Sequence, residues 1–255
     1  MQTVLYDGSF EGWLSAVFDV YNYKFTDVQL CTEATFKGNI FDKVHASCNN
    51  EQHSQRVWQG LEKRLPMEAL QQLYQAFLSE TEGMETILLH YVQYVFSRTD
   101  SIAMDYSHPA VLKVIQTARK VWREQHRMEA FVRFQKTADG IYFATIAPGH
   151  NVLPLIAPHF ETRYADQSWV IYDVRRKYGI YFNLQKVEQI TIDFDPSTQE
   201  GKDLASIADE NEMIYQQLWQ RYFKSVNIAA RRNTRLHVQH MPRRYWKFLT
   251  EKRCN

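Results

Sequence analysis

Along the first half of the chain apolar residues recur at helical spacing. Phe10, Trp13, Leu14, Val17, Phe18 and Tyr21 predict an amphipathic helix from residue 9 to about 22. A short strand over 3–6 and the turn signal Asp7-Gly8 precede it. Residues 24–50 mix short β-like runs with a polar end. Helices are then expected over about 51–64 and from Pro66 to about 79, with proline at a permitted first-turn position. Met84, Ile87, Leu88, Tyr91, Val92, Val95 and Phe96 form an unbroken stripe, and a further helix starts at Pro109 and runs through Val114, Ala118 and Trp122.

Near Ala130 the period changes from helical to alternating. Residues 131–134, the turn Asp139-Gly140 and residues 141–146 predict a β-hairpin. A short helix is expected over 152–164. Residues 169–174, a turn near Gly179 and residues 180–183 predict a second hairpin, with another strand over 187–192. Asp195-Pro196-Ser197 ends the sheet ahead of a helix over about 198–222. Short turns between strands imply antiparallel pairing, and helices followed by hairpins indicate the α+β class. No repeat or Gly/Ser-rich linker interrupts the pattern. The expected organisation is therefore one domain, 1–255: a helical part over about 1–128, an antiparallel hairpin sheet over about 129–195, and a C-terminal helix with a basic arm over about 196–255.

Charge changes this picture more than composition does. The chain carries +1 overall, yet residues 221–255 hold ten Lys and Arg against one acidic residue, Glu251, a local balance of +9 that leaves −8 for the rest. Such a concentration of cations predicts a polyanionic partner. Within it, Arg231, Arg232, Arg235, Arg243, Arg244 and Lys247 suit phosphate contacts, while Tyr245 and Trp246 suit either stacking on bases or anchoring the arm. Arg127 and Arg133 would extend that surface. The competing reading is a solvated arm whose aromatics pack on the parent domain and whose arginines pair with its carboxylates. Arg119, Arg123 and Arg127, four residues apart, share a helix face that reads equally as a solvated one beside Glu124 and Glu129.

Candidate chemistry is sparse. Three cysteines, Cys31, Cys48 and Cys254, stand at no disulfide-framework spacing, and no apolar run approaches a membrane span. The N-terminus has no signal-peptide pattern, so a cytoplasmic location is expected. His45, Cys48 and His53 do not match a metal-ligand spacing, so neither metal nor cofactor is expected. Asp193 at a strand end, with Glu200 and Lys202 after it, has the look of a nuclease triad, but Glu200 falls at a helix start, and Asp195 and Thr198 read as turn and cap residues instead. P-loop, GxGxxG, GxSxG and HExxH motifs are all missing. Asp7, His126 and His150 are the candidates for catalytic groups, should the chain be an enzyme.

Residues 6–13 (YDGSFEGW) with Ala16-Val17-Phe18, residues 126–134 (HRMEAFVRF), residues 156–160 (IAPHF) with Arg163, and residues 241–246 (MPRRYW) together resemble a bacterial family assigned to DNA metabolism or DNA repair, a domain of unknown function. The resemblance covers nearly the whole chain. It implies a role in DNA metabolism beside a radical-SAM repair protein, and in some bacteria a similar domain is fused to a uracil-DNA glycosylase-like domain. No such extra domain is present in this sequence. It also lacks the cysteine triplet of an iron–sulfur cluster, so radical chemistry would reside in the partner. The family brings no catalytic residues with it. The leading expectation is a DNA-binding accessory or processing protein. The alternatives are an enzyme acting on damaged DNA or nucleotides, and a protein-interaction subunit without DNA contact.

Overall fold

The structure, a computed structural model, describes residues 2–36, 38, 43–98, 105–191 and 238–252. The protein is α+β, and the chain divides into two compact units, Met1–Trp122 and Arg123–Asn255.

The first unit opens with β1 (Gln2–Tyr6) and α1 (Phe10–Asn22), as the apolar pattern predicts. Gly8 turns the chain at φ 87, and Ser9 caps α1 by accepting a hydrogen bond from the Gly12 amide at 2.9 Å. Because α1 crosses over, β2 (Val28–Thr32) returns parallel to β1, and β3 (Lys43–Ala46) adds a parallel strand on the other side. The helical half thus contains a three-stranded parallel sheet ordered β2-β1-β3, which its short β-like runs do not reveal. β3 is nearly all exposed, so apolar burial cannot hold it. Instead the buried Asp19 of α1 accepts from Ser47 Oγ at 2.7 Å and pairs with His45 Nε2 at 3.1 Å.

Four helices follow: α2 (Glu51–Glu62), α3 (Met67–Phe77), α4 (Met84–Ser97) and α5 (Pro109–Phe131), the last continuing into the second unit. Pro66 stands at the cap position before α3 rather than inside its first turn. Trp13, Val17, Leu61, Leu73, Leu88, Val92 and Val111 fill the core of this unit, and the Trp13 indole donates to the Glu85 carbonyl at 3.1 Å.

The second unit carries a five-stranded sheet in sequential order: β4 (Gln135–Lys136), β5 (Tyr142–Ile146), β6 (Trp169–Asp173), β7 (Tyr178–Phe182) and β8 (Val187–Ile190). Three expectations are corrected here. The predicted strand over 131–134 yields to α5, which reaches Phe131, with the Val132 amide still donating to Met128 at 3.0 Å. Met128 and Val132 are both buried, so helical spacing outweighs the short alternating run. Secondly, the sheet is mixed: β5 and β6 run parallel because α6 (Leu153–Arg163) crosses between them, while β4–β5, β6–β7 and β7–β8 are antiparallel. Thirdly, Gly179 lies within β7, and the turn falls at residues 174–177, where Lys177 has φ 58. A Cβ on Gly179 would stand 2.9 Å from the Ile171 carbonyl, so close strand approach, not a turn, requires glycine there.

Ile146, Leu153, Ile156, Phe160, Trp169 and Phe182 are buried in this unit. Two 3-10 helices, Arg243–Phe248 and Thr250–Lys252, end the described chain. The expected helix over 198–222 and the first part of the basic arm, with Arg231, Arg232 and Arg235, lie outside the described residues, as do Asp193, Glu200 and Lys202.

Candidate functional site

Among the described residues of the second unit, a dense polar arrangement gathers on Glu124. This α5 carboxylate is 2% exposed. Its Oε1 accepts from the Gly149 amide at 2.9 Å, from Arg244 Nη2 at 2.8 Å and from the Tyr245 hydroxyl. Its Oε2 accepts from the His150 amide at 2.7 Å. Burial by itself would raise the carboxyl's pKa. The hydrogen bonds from Tyr245, Gly149 and His150, with the nearby His150 charge, outweigh burial and hold it below the ordinary glutamate value. Burial, reinforced by the bond to Glu124, pushes the Tyr245 hydroxyl up to about 12.

The same loop is gripped from its other side. Arg176 donates to the Pro148 carbonyl at 3.2 Å and the Gly149 carbonyl at 3.1 Å, and Arg175 reaches the Gly149 carbonyl at 3.2 Å. The fully buried Asp173, last residue of β6, holds Arg176 at 2.8 Å and accepts from the amides of Arg175 and Arg176 at 2.9 and 3.3 Å. Asn151 accepts from the Tyr178 hydroxyl. Loops after parallel strands often bind ligands in α/β units. In this one, the amides of Gly149 and His150 and the carbonyls of Pro148 and Gly149 are bonded to the chain's own side chains. The arrangement is a rigid anchor, and what it anchors is the terminal segment.

In the 3-10 helix Arg243–Phe248, Tyr245 is buried with its ring 5.8 Å from Phe131. Of the two roles open to it, stacking or anchoring, this geometry suits anchoring. Arg244 follows Tyr245 onto Glu124 and also donates to the tyrosine oxygen. The neighbours turn outward: Arg243 and Lys247 are exposed, and Trp246 is half-buried. The Arg243 guanidinium lies 5.7 Å from the Trp246 ring and Lys252 Nζ lies 5.2 Å from it, while the indole donates to the Met241 carbonyl at 3.0 Å.

The other candidates occupy different settings. Arg133 donates to the carbonyls of Ala130 and Val132 at 2.7 and 3.2 Å, where a cation complements the end of α5. Arg127 reaches the Gln239 carbonyl at 3.5 Å. His126 is exposed with Nδ1 3.2 Å from Glu129, and His150 contributes its amide to the Glu124 cluster. Asp7 sits in the first unit, where it organises the turn before α1. It accepts from the Ser9 amide and hydroxyl at 2.9 and 2.6 Å and from Asn49 at 3.0 Å. Slight burial would raise its pKa, but these bonds outweigh that and lower it. His45 is engaged by Asp19, and the His53 ring stacks on Phe18 at 4.0 Å. Among the described residues no group of three or more His, Cys, Asp or Glu could hold a metal ion, and no helix is long and apolar enough to cross a membrane. Of the two acids that organise the second unit, Asp173 is not singled out from sequence, and Glu124 figures there only beside a solvated helix face, whereas the structure buries it. Glu124 falls in one stripe with the buried Val121 and Met128, and Asp173 ends the buried run Trp169–Asp173; an acid in such a place is the signal each leaves.

No curated protein matches the chain. Among solved structures, a pGpG-specific phosphodiesterase, PggH from Vibrio cholrae, aligns over 89% of this chain and 99% of that one, at 9% identity and a TM-score of 0.33. A likeness at that level carries no argument about fold or activity. The model of the DUF4130 family, a domain of unknown function, matches residues 82–251, and the chain belongs to that family.

Proposed function

We propose that this chain is a DNA-binding accessory or processing protein of DNA repair or metabolism, acting beside a radical-SAM partner. The observation that carries the reading is the anchored 3-10 helix. Tyr245 fastened to the buried Glu124 leaves Arg243 and Lys247 exposed on either side of a half-buried Trp246. Cations flanking an aromatic ring serve a nucleic acid in two ways. The charges neutralise phosphates and release counterions, and the ring offers a face to a base. Arg243, Lys247 and Trp246 are the contact residues of this reading. Arg244 and Tyr245 are positioning residues that act through Glu124. Arg127 and Arg133 have backbone carbonyl partners and are secondary. The excess of cations over residues 221–255 supports the same partner. The radical-SAM association follows the family resemblance of the sequence, with any iron–sulfur chemistry assigned to the partner.

A salt titration tests the DNA contact. Binding of labelled single- and double-stranded oligonucleotides, read by fluorescence anisotropy, should fall linearly on a log–log plot against salt. Arg243→Ala/Lys247→Ala should weaken all sequences alike and flatten the slope by about 0.9 per lost phosphate contact on duplex. An unchanged slope, or no binding at low salt, refutes it. A radical-SAM protein retained after nuclease treatment by a chain without DNA affinity would instead mark an interaction subunit.

A further inference from the structure

We infer that the first unit carries a pocket for a nucleobase, with a nucleoside monophosphate as its smallest complete ligand. The concavity has a volume of about 310 Å³ and lies between α3 and α5. That is the lower end of the size range of small-molecule sites. Gln71, Gln72 and Gln75 line it from α3, Arg119 and Trp122 from α5, and Tyr106 from the segment before α5.

The occupant follows from what these groups offer. Trp122 is 50% exposed and Tyr106 47% exposed, two large aromatic rings open to water around one hollow. Exposed rings on a monomer are ordinary when scattered, but two at a single concavity supply π faces for a planar heterocycle. Each glutamine amide is donor and acceptor at once, which matches the mixed donor and acceptor edge of a base. Gln72 Nε2 already donates to Glu68 Oε1 at 3.2 Å, which orients that amide and brings an acceptor to the rim for exocyclic amino groups. Arg119 adds a guanidinium that suits a phosphate. A neutral sugar could also stack on a tryptophan, but it carries no charge to pair with the cation. An apolar ligand would offer the glutamine amides no polar partner. A base with its phosphate uses every class of group present. This site belongs to the first unit and does not depend on the DNA contacts assigned to the second.

Indole NMR on the full chain tests it. The chain holds six tryptophans, and Trp122→Phe identifies the Trp122 signal by its loss. Titration with the 5′-monophosphates of adenosine, guanosine, cytidine and uridine should shift that signal saturably for at least one base. Trp122→Ala should weaken binding by ~10-fold, as loss of one base–aromatic stack does. Arg119→Gln should weaken the monophosphate several-fold and leave the matching nucleoside unchanged. No saturable shift with any nucleotide overturns the proposal, as does an equal shift with inorganic phosphate alone. Arg243→Ala/Lys247→Ala should bind nucleotide as the parent does. A chain that binds DNA but no nucleotide sinks this inference only, and the opposite result sinks only the DNA reading.

Discussion

Replacing Glu124 by glutamine should destabilise the second unit out of proportion to a change of one atom. The carboxylate accepts from four donors, three on Oε1 and one on Oε2. An amide keeps one oxygen and turns a donor toward either the His150 amide or the Gly149, Arg244 and Tyr245 group. One side of the cluster is then left unsatisfied, and the buried partner of Arg244 loses its charge. The Arg244 side chain is 57% exposed and stays solvated, so the cost is that of buried donors left unsatisfied, about 1–3 kcal/mol. With a urea m-value of about 2 kcal/mol per molar, the unfolding midpoint should fall by ~0.5–1.5 M. Tryptophan fluorescence is a suitable probe, because Trp169 and Trp246 both belong to this unit. Tyr245→Phe, which removes a single donor, should fall in the same direction by about 1–2 kcal/mol and covers the case in which the glutamine variant does not fold. The effect must also depend on pH. Since Glu124's folded pKa lies below its unfolded value, its stabilisation is complete above the unfolded pKa and is lost as pH falls through the folded one. The gap between parent and Glu124→Gln should be widest near neutrality and narrow in acid. A gap below about 1 kcal/mol at neutral pH, or one unchanged in acid, would refute the anchor.

Three further predictions concern other parts of the chain. Gly12→Ala sets a Cβ 1.9 Å from Asp7 Oδ1, so the Asp7 side chain must swing away and give up its bonds to Ser9, and a loss of about 1–3 kcal/mol should register in thermal melts of the full chain. Asp173→Asn removes the charge that holds Arg176, and calorimetry should find a penalty comparable to that of Glu124→Gln, with the glutamine and asparagine penalties non-additive because both grip the Gly149 loop. In a Cys254→Ser background a thiol reagent should label the exposed Cys48 quickly and the buried Cys31 slowly, burial having pushed the Cys31 thiol up; equal rates would contradict the packing of β2.

Elements with a long uniform period were legible in the sequence. Phe10 to Tyr21 and Met84 to Phe96 carry enough repeats that one helical face is unambiguous, and both helices appear where expected. Short elements were not, for separate physical reasons. β3 is held by Asp19 bonding to His45 and Ser47 rather than by apolar burial, so no hydrophobic alternation marks it. Residues 131–134 fit a strand and a helix end equally well, and long-range burial of Met128 and Val132 decides between them. The direction of β6 relative to β5 was implicit in the helix between them. A helix inserted between two neighbouring strands dictates parallel pairing, whatever their own alternation suggests.

The site followed a different logic from the fold. Basic residues around 243–247 announce themselves by number, because solvated charges need no particular neighbour and so accumulate visibly. The residue that positions them does the opposite. Glu124 stands three after Val121 and four before Met128, both buried, so a carboxylate occupies the apolar stripe of α5. Such a charge is tolerated only if donors converge on it. Those donors come from the Gly149-His150 loop and from Tyr245, 25 to 121 residues away in sequence. Helical spacing alone therefore reveals that Glu124 must have partners and cannot say which. Read with that rule, Asp173 at the end of the wholly buried run Trp169–Asp173 makes the same demand, and it meets it within three residues through Arg176. An acid inside an apolar stripe is thus a better pointer to the framework of this unit than any of its many arginines.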